Sequence, residues 1–209
     1  MLRLLRHKVK ELASSRPFPS MTEPSENLMI RRGSVSDSAA IGRILAGGWR
    51  QAYAGFMPEA ELGPRTDPDY RRAEVEAWLS SDFDGERELL LVAEEARSVA
   101  GFLAARLGDR NDVGAASQIT LLYVSPERQG RGIGQRLLLE AAEWLKETAP
   151  GPVAIGAFEQ NPYRSFYDAI GGTIAKRVLV KVDAREWPVV VYLWPSPEAL
   201  RDGIRAKGA

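Results

Sequence analysis

Val124-Ser125-Pro126-Glu127-Arg128-Gln129-Gly130-Arg131-Gly132-Ile133-Gly134-Gln135-Arg136-Leu137-Leu138 is the stretch whose reading decides the fold. An apolar, β-prone run from Ile119 to Val124 precedes it. After it Leu137, Leu138, Ala141, Ala142 and Leu145 recur at helical spacing, so the stretch links a strand to a helix. Gly130, Gly132 and Gly134 let the backbone pass close to another group and expose successive N–H groups at a helix N-terminus. Those amides and the positive end of the helix dipole suit a phosphate or pyrophosphate. Arg128 and Arg131 add positive charge beside them. The same glycines also fit a plain connection that binds nothing, since loops use glycine wherever φ must be positive. Two phosphate motifs are excluded by spacing. The glycine order is not the G-x-G-x-x-G of a dinucleotide fold, and no Gly-Lys-Ser/Thr ending marks a P-loop.

The stretch resembles the acyl-CoA loop of the GCN5-related N-acetyltransferases (GNAT), Q/R-x-x-G-x-G/A, through Gln129, Gly132 and Gly134, introduced by Leu122-Tyr123-Val124-Ser125-Pro126. A second segment, Asn161-Pro162-Tyr163-Arg164-Ser165-Phe166-Tyr167-Asp168-Ala169-Ile170-Gly171-Gly172, resembles that family's N-x-x-A-x-x-F-Y-x-x-x-G-G, with Arg164 and Ser165 where alanine is common. The resemblance covers about Leu28 to Trp194. It implies an α/β GNAT acyl-CoA N-acyltransferase fold, a mixed central sheet of about six to seven strands flanked by about four helices.

The order of elements agrees. Leu28 to Arg32 reads as a strand. Ser36-Asp37 can cap a helix with apolar positions Ala40, Ile41, Ile44 and Leu45, which Gly47-Gly48 weakens. A second helix covers Asp69 to Leu79. Leu89 to Ala93 and Val99 to Leu107 form a hairpin through Glu94 to Ser98. A polar loop, Gly108 to Ala116, leads to the strand Ser117 to Val124. Pro150-Gly151-Pro152 ends the following helix. Then come a strand from Val153 to Phe158, a short helix from Pro162 to Ala169, and strands Ile174 to Val182 and Val189 to Trp194 around a turn from Asp183 to Pro188. The domain is therefore 28–195. Residues 1–27, basic and then Pro/Ser-rich, form an accessory tail, and 196–209 a C-terminal tail.

Composition narrows the function. The chain has 209 residues, 44% hydrophobic and 27% charged, enough for one ordinary domain with a core. Lys+Arg and Asp+Glu both number 28, without the basic excess of a nucleic-acid binder. No cysteine is present, which fits a reducing, cytoplasmic setting and leaves no thiolate nucleophile. The single histidine, His7, argues against a histidine-based metal site or a Ser-His-Asp triad. No apolar run approaches the roughly 20 residues that cross a membrane. The apolar late strands, Val178 to Val182 and Val189 to Trp194, invite pairing in a homodimer.

The resemblance implies an acetyl-CoA-dependent N-acetyltransferase, with direct transfer to a primary amine in a ternary complex and no metal. It places the thioester carbonyl on the backbone N–H of Val124, where the strand parts from Val153 to Phe158, and the pyrophosphate on the amides of Gln129, Gly130, Arg131, Gly132, Ile133 and Gly134. It aims Tyr167 at the CoA sulfur, where a phenol, protonated at neutral pH, can donate to the leaving thiolate; the other reading is a buried aromatic with a satisfied hydroxyl. Asn161 either caps the short helix or bonds the pantetheine arm. Trp49 and Tyr53, in Trp49-Arg50-Gln51-Ala52-Tyr53-Ala54-Gly55, either belong to the core or line an amine pocket with cation–π contact from Trp49. No carboxylate stands on the strand Gln118 to Tyr123 to act as a base. Thr120 and Tyr123 could order a water there, and Glu159 is a weaker candidate. Balanced charge favours a small-molecule amine over a protein N-terminus or lysine. The alternative is a non-catalytic acyl-CoA-binding sensor of the same fold.

Overall fold

The computed structural model describes residues 28–108 and 113–207. The N-terminal tail of the sequence reading, 1–27, lies outside them. A seven-stranded sheet has the order β1-β2-β3-β4-β5-β7-β6. Its strands are β1 (Leu28–Arg32), β2 (Glu88–Glu95), β3 (Ser98–Leu107), β4 (Ser117–Val124), β5 (Val153–Phe158), β6 (Thr173–Val182) and β7 (Arg185–Trp194). Among the described residues six α-helices accompany it: α1 (Ser38–Tyr53), α2 (Glu59–Leu62), α3 (Pro68–Ala77), α4 (Ile133–Thr148), α5 (Ser165–Ala169) and α6 (Pro197–Lys207). Contacts among the described residues group into two compact units, 28–106 with 121–141, and 107–120 with 142–207. β4 and α4 run through both.

In the first unit β1 pairs antiparallel with β2, and β2 with β3. The hairpin link is shorter than Glu94 to Ser98. Both strands run on, and the turn is Ala96-Arg97 alone, with φ of 50° and 62°. Two successive left-handed residues match the twist of paired strands, and they leave Glu95 at the strand end. α1 lays Ile41, Ile44 and Leu45 on a core with Val75, Trp78, Leu90, Val92 and Phe102; each such side chain gains about 1.5–3 kcal/mol on leaving water. α1 does not weaken at Gly47-Gly48 but runs through to Tyr53. A Cβ on Gly48 would stand 2.6 Å from the Tyr123 ring, so this glycine admits the ring against the helix rather than ending it. Gly42 does the same for α3, its virtual Cβ falling 2.6 Å from the backbone N of Arg72.

An ion pair ties β1 to the start of α1. Arg31 donates to Asp37 at 2.8 and 3.0 Å and to Glu94 at 2.8 Å, and the Ser34 N–H donates to Asp37 at 2.9 Å. Asp37 is 6% exposed. The Arg31 guanidinium, helped by the Ser34 amide, holds its carboxyl below the usual range against the opposing effect of burial. A depressed folded pKa adds stability above the unfolded value, near pH 4, and loses it as pH falls through the folded value. Asp37→Asn is therefore expected to cost on the order of 1–2 kcal/mol at pH 7, the partner arginine being partly exposed. Urea unfolding should show that gap closing below about pH 4; an equal gap in acid would remove the ion pair as its source.

In the second unit β4 pairs in parallel with β5, from Ser117 opposite Val153 to Ile119 opposite Ile155. β7 pairs antiparallel with β5 on one side and β6 on the other. Only β6 of the two late strands therefore offers an edge to a second copy. Val189 to Trp194, expected to share that role, is an interior strand. The turn from Asp183 to Pro188 is also corrected. It is Asp183-Ala184, and β7 begins at Arg185 with Pro188 inside it. Pro188 accepts from the Glu159 N–H at 2.8 Å but has no N–H to return, so the Glu159 carbonyl accepts from Arg164 Nη1 at 2.7 Å instead. Residues 197–207, placed in a C-terminal tail from sequence, form α6 with Leu200 and Ile204 buried.

Candidate active site

β4 ends at Val124, and the Ser125 N–H donates to the Ala100 carbonyl of β3 at 2.8 Å. Backbone groups alternate sides along a strand, so the N–H and C=O of Val124 point away from β3. A single turn, Pro126–Arg128, follows, and then the glycines. Gly130 and Gly132 have φ of +75° and +72°, where side chains are strained. A Cβ on Gly130 would meet nothing within 4 Å, and one on Gly132 only Gln135 Oε1 at 3.7 Å. On Gly134 the nearest atom is Val124 Cγ2 at 3.8 Å, an ordinary contact. Conformation, not internal packing, demands the first two glycines, and the space beside all three stays open to a ligand. α4 starts at Ile133, its first turn lacking intrahelical acceptors for its N–H groups. The residues present therefore fit a pyrophosphate.

Polar side chains fix this loop. Gln129 Nε2 donates to the Val124 carbonyl at 3.1 Å and to Gln51 Oε1 at 3.0 Å, and Gln51 donates back at 3.3 Å. Gln129 thus works as a latch between the strand end and α1. Arg128 is paired with the Glu95 carboxylate at the end of β2, while Arg131 lies 4.0 Å from the same carboxylate and is half exposed. Of the two arginines, Arg131 is the one able to turn toward an anion. Glu95 is a partner that sequence reading missed, because it comes from a different hairpin.

Asn161 and Tyr167 belong to the other compact unit. Asn161 Oδ1 accepts from the Tyr163 N–H at 2.9 Å, closing a turn ahead of α5, which begins only at Ser165 rather than Pro162. Asn161 thus closes a turn four residues ahead of α5 and does not cap it, the N-cap position being Arg164 with no side-chain cap. Tyr167 is half-buried, its ring 5.5 Å from that of Phe166 and 5.4 Å from that of Tyr192. Tyr192 is fully buried and accepts from Arg164 Nε at 3.2 Å; burial pushes its pKa up, as it does for Tyr163. Arg164, a departure from the family pattern, thus joins the Glu159 carbonyl to the Tyr192 hydroxyl. The Glu159 carboxylate is buried and accepts from Arg177 Nε at 3.1 Å. Glu159, the weaker candidate base, is thus engaged by Arg177 within the protein.

Trp49 and Tyr53 are in the core, 0% and 5% exposed, with rings 4.8 Å apart. The guanidinium carbons of Arg71 and Arg65 lie 4.7 and 5.6 Å from the centre of the Trp49 ring. The chain's own arginines therefore supply the cation–π contact that an acceptor amine was expected to make. Burial pushes the pKa of the Tyr123 hydroxyl up, against the opposing effect of Tyr53 beside it. Among the described residues no cluster of His, Asp or Glu could hold a metal ion, and no helix is long and apolar enough to cross a membrane.

The sequence is 26% identical over 172 residues to the uncharacterized N-acetyltransferase YuaI of Bacillus subtilis, covering 82% of this chain and 95% of that one. The fold is similar to that of the PaiA N-acetyltransferase of Thermoplasma acidophilum, solved in complex with coenzyme A, with a TM-score of 0.61 at 21% identity over 78% of this chain and 97% of that one. It is also similar to YncA of Salmonella typhimurium, solved with its cofactor acetyl-CoA, with a TM-score of 0.57 at 20% identity over 81% and 94% of the two chains. A sequence model of the acetyltransferase (GNAT) family matches residues 49–171, more than half of the chain. By that match, on a seven-stranded mixed sheet with the glycine turn leading into α4, the chain belongs to the acetyltransferase (GNAT) family.

Proposed function

We propose that the chain is an acetyl-CoA-dependent N-acetyltransferase that passes the acetyl group directly to a primary amine in a ternary complex. The observation that carries this reading is the loop from Gln129 to Gly134: two left-handed glycines with open space beside them, leading into an amide-rich helix N-terminus. Its amides and Arg131 hold the pyrophosphate. The Val124 N–H, turned away from β3, meets the thioester carbonyl as negative charge builds on its oxygen. Tyr167 gives its proton to the departing thiolate. Bound acetyl-CoA supplies the activated acyl group, and no covalent enzyme intermediate is needed. A small-molecule amine is the favoured acceptor, as the balanced charge of the chain offers no strongly charged docking surface for a protein.

A second reading has one observation in its favour. β4 carries no carboxylate, and Glu159 is committed to Arg177. Without a base the protein would bind acyl-CoA as a sensor. Calorimetry with acetyl-CoA and CoA, followed by turnover on a panel of amines, separates the two. Micromolar binding with amine-dependent release of free thiol is expected. Binding without turnover on any amine supports the sensor, and no binding by folded protein overturns both.

A further inference from the structure

We propose that α6 is a clamp that positions Tyr167, with Gly203 and Lys207 as its positioning residues; the inference rests on the reading of Tyr167 as proton donor. α5 has only five residues, too few to hold a helical geometry on their own. Its orientation must come from what grips it. The grip centres on Ile170, the fully buried residue that ends α5. The Ile170 carbonyl accepts from Trp194 Nε1 at 2.9 Å. Against the same carbonyl lies Gly203 of α6, so closely that a Cβ there would stand 2.1 Å from the oxygen and 2.8 Å from the carbon. One turn further, Lys207 Nζ sits 4.9 Å from the centre of the Phe166 ring, which itself packs edge-on against Tyr167.

α6 is itself firmly seated. Ser196 caps it, accepting the Ala199 N–H on its hydroxyl at 3.2 Å. Leu200 and Ile204 are 0% and 2% exposed, and Arg201 reaches Glu143 of α4 at 3.7 Å. Leu200, Gly203, Ile204 and Lys207 recur at three- and four-residue spacing, so one face of the helix carries both its own anchor and the contacts to α5. The face meets the backbone carbonyl of Ile170, directly after α5, and reaches Phe166 of α5 through Lys207. A displacement of α6 is therefore passed to Ile170 and, within one turn, to Tyr167.

Gly203→Ala tests the clamp. Alanine ordinarily favours a helix over glycine, so loss of function here points to the contact and not to propensity. Relief of the clash requires a shift of about 1 Å, a misplacement that costs on the order of 10²-fold at a reacting group. The expected result is a fall in kcat of about 10- to 100-fold with the KM for acetyl-CoA nearly unchanged. Arg205→Ala, on the exposed face, should leave both unchanged. Independently of turnover, the ¹³Cζ NMR signal of Tyr167, assigned through Tyr167→Phe, should move in Gly203→Ala while that of Tyr163 does not. If wild-type protein acetylates no amine, the enzyme reading fails and this signal still decides the clamp. Should Gly203→Ala not fold, Lys207→Ala is expected to move the same signal and lower kcat about threefold. A folded variant with wild-type kcat and an unmoved Tyr167 signal overturns the proposal.

Discussion

Gly132→Glu is expected to abolish measurable binding of acetyl-CoA. Two effects act in the same direction. Gly132 has φ of +72°, and an L side chain in that region costs roughly 1–2 kcal/mol. The new carboxylate would also project into the space beside the loop, where a Cβ meets only Gln135 Oε1 at 3.7 Å. In the proposed complex that space holds pyrophosphate, and like charges at close range cost a further few kcal/mol. Together these weaken binding by about 10²- to 10⁴-fold. Gly132→Ala separates the two: it keeps the strain, adds no charge and finds room for its methyl, so about tenfold weakening is expected. Calorimetry on both variants, with unfolding curves to confirm the fold, makes the comparison. Unchanged affinity in folded Gly132→Glu would show that the loop is only a connection.

Sequence reading succeeded where the physical demand is local. β1, β4 and β5 are short β-prone segments between turn residues, and each falls where that pattern puts it. The glycine loop was legible for the same reason, since positive φ at Gly130 and Gly132 is a property of the chain at those positions. It failed where a residue answers to a distant partner. Gly48 read as a helix breaker but answers to the Tyr123 ring, and Pro188 read as a turn residue but answers to the end of the β5 ladder. The stacking of Arg71 and Arg65 on Trp49 has no signature along the chain, because the arginines follow a separate helix and turn. α6 is a different case. Ser196 at the cap, Pro197 and Glu198 in the first turn, and the Leu200–Ile204 spacing are a local helix signal, at odds with the C-terminal tail expected there.

Tyr167→Phe is expected to lower kcat by roughly 10²-fold while the affinity for CoA stays nearly constant, the size and pattern of lost general-acid catalysis. The substitution suits the question because the ring contacts survive it. Phenylalanine keeps the edge-on contact with Phe166 at 5.5 Å and the contact with Tyr192 at 5.4 Å, so only the hydroxyl is lost. Neither neighbouring phenol is an obvious substitute. Tyr192 is fully buried and hydrogen-bonded to Arg164, while Tyr163 follows the Asn161 turn and precedes α5. The chemistry supplies its own control. An acetyl thioester of a more acidic thiol needs less help in leaving, so the variant's deficit should shrink with such a donor if the missing hydroxyl was a proton donor. A deficit equal for both donors would assign Tyr167 to positioning, and a folded variant with full turnover would leave it as packing alone. In the proposed reaction, with Glu159 paired to Arg177 and no carboxylate on β4, the amine loses its proton to water. The alkaline rise of kcat/KM should then follow the pKa of the acceptor amine, in the variant as in the wild type.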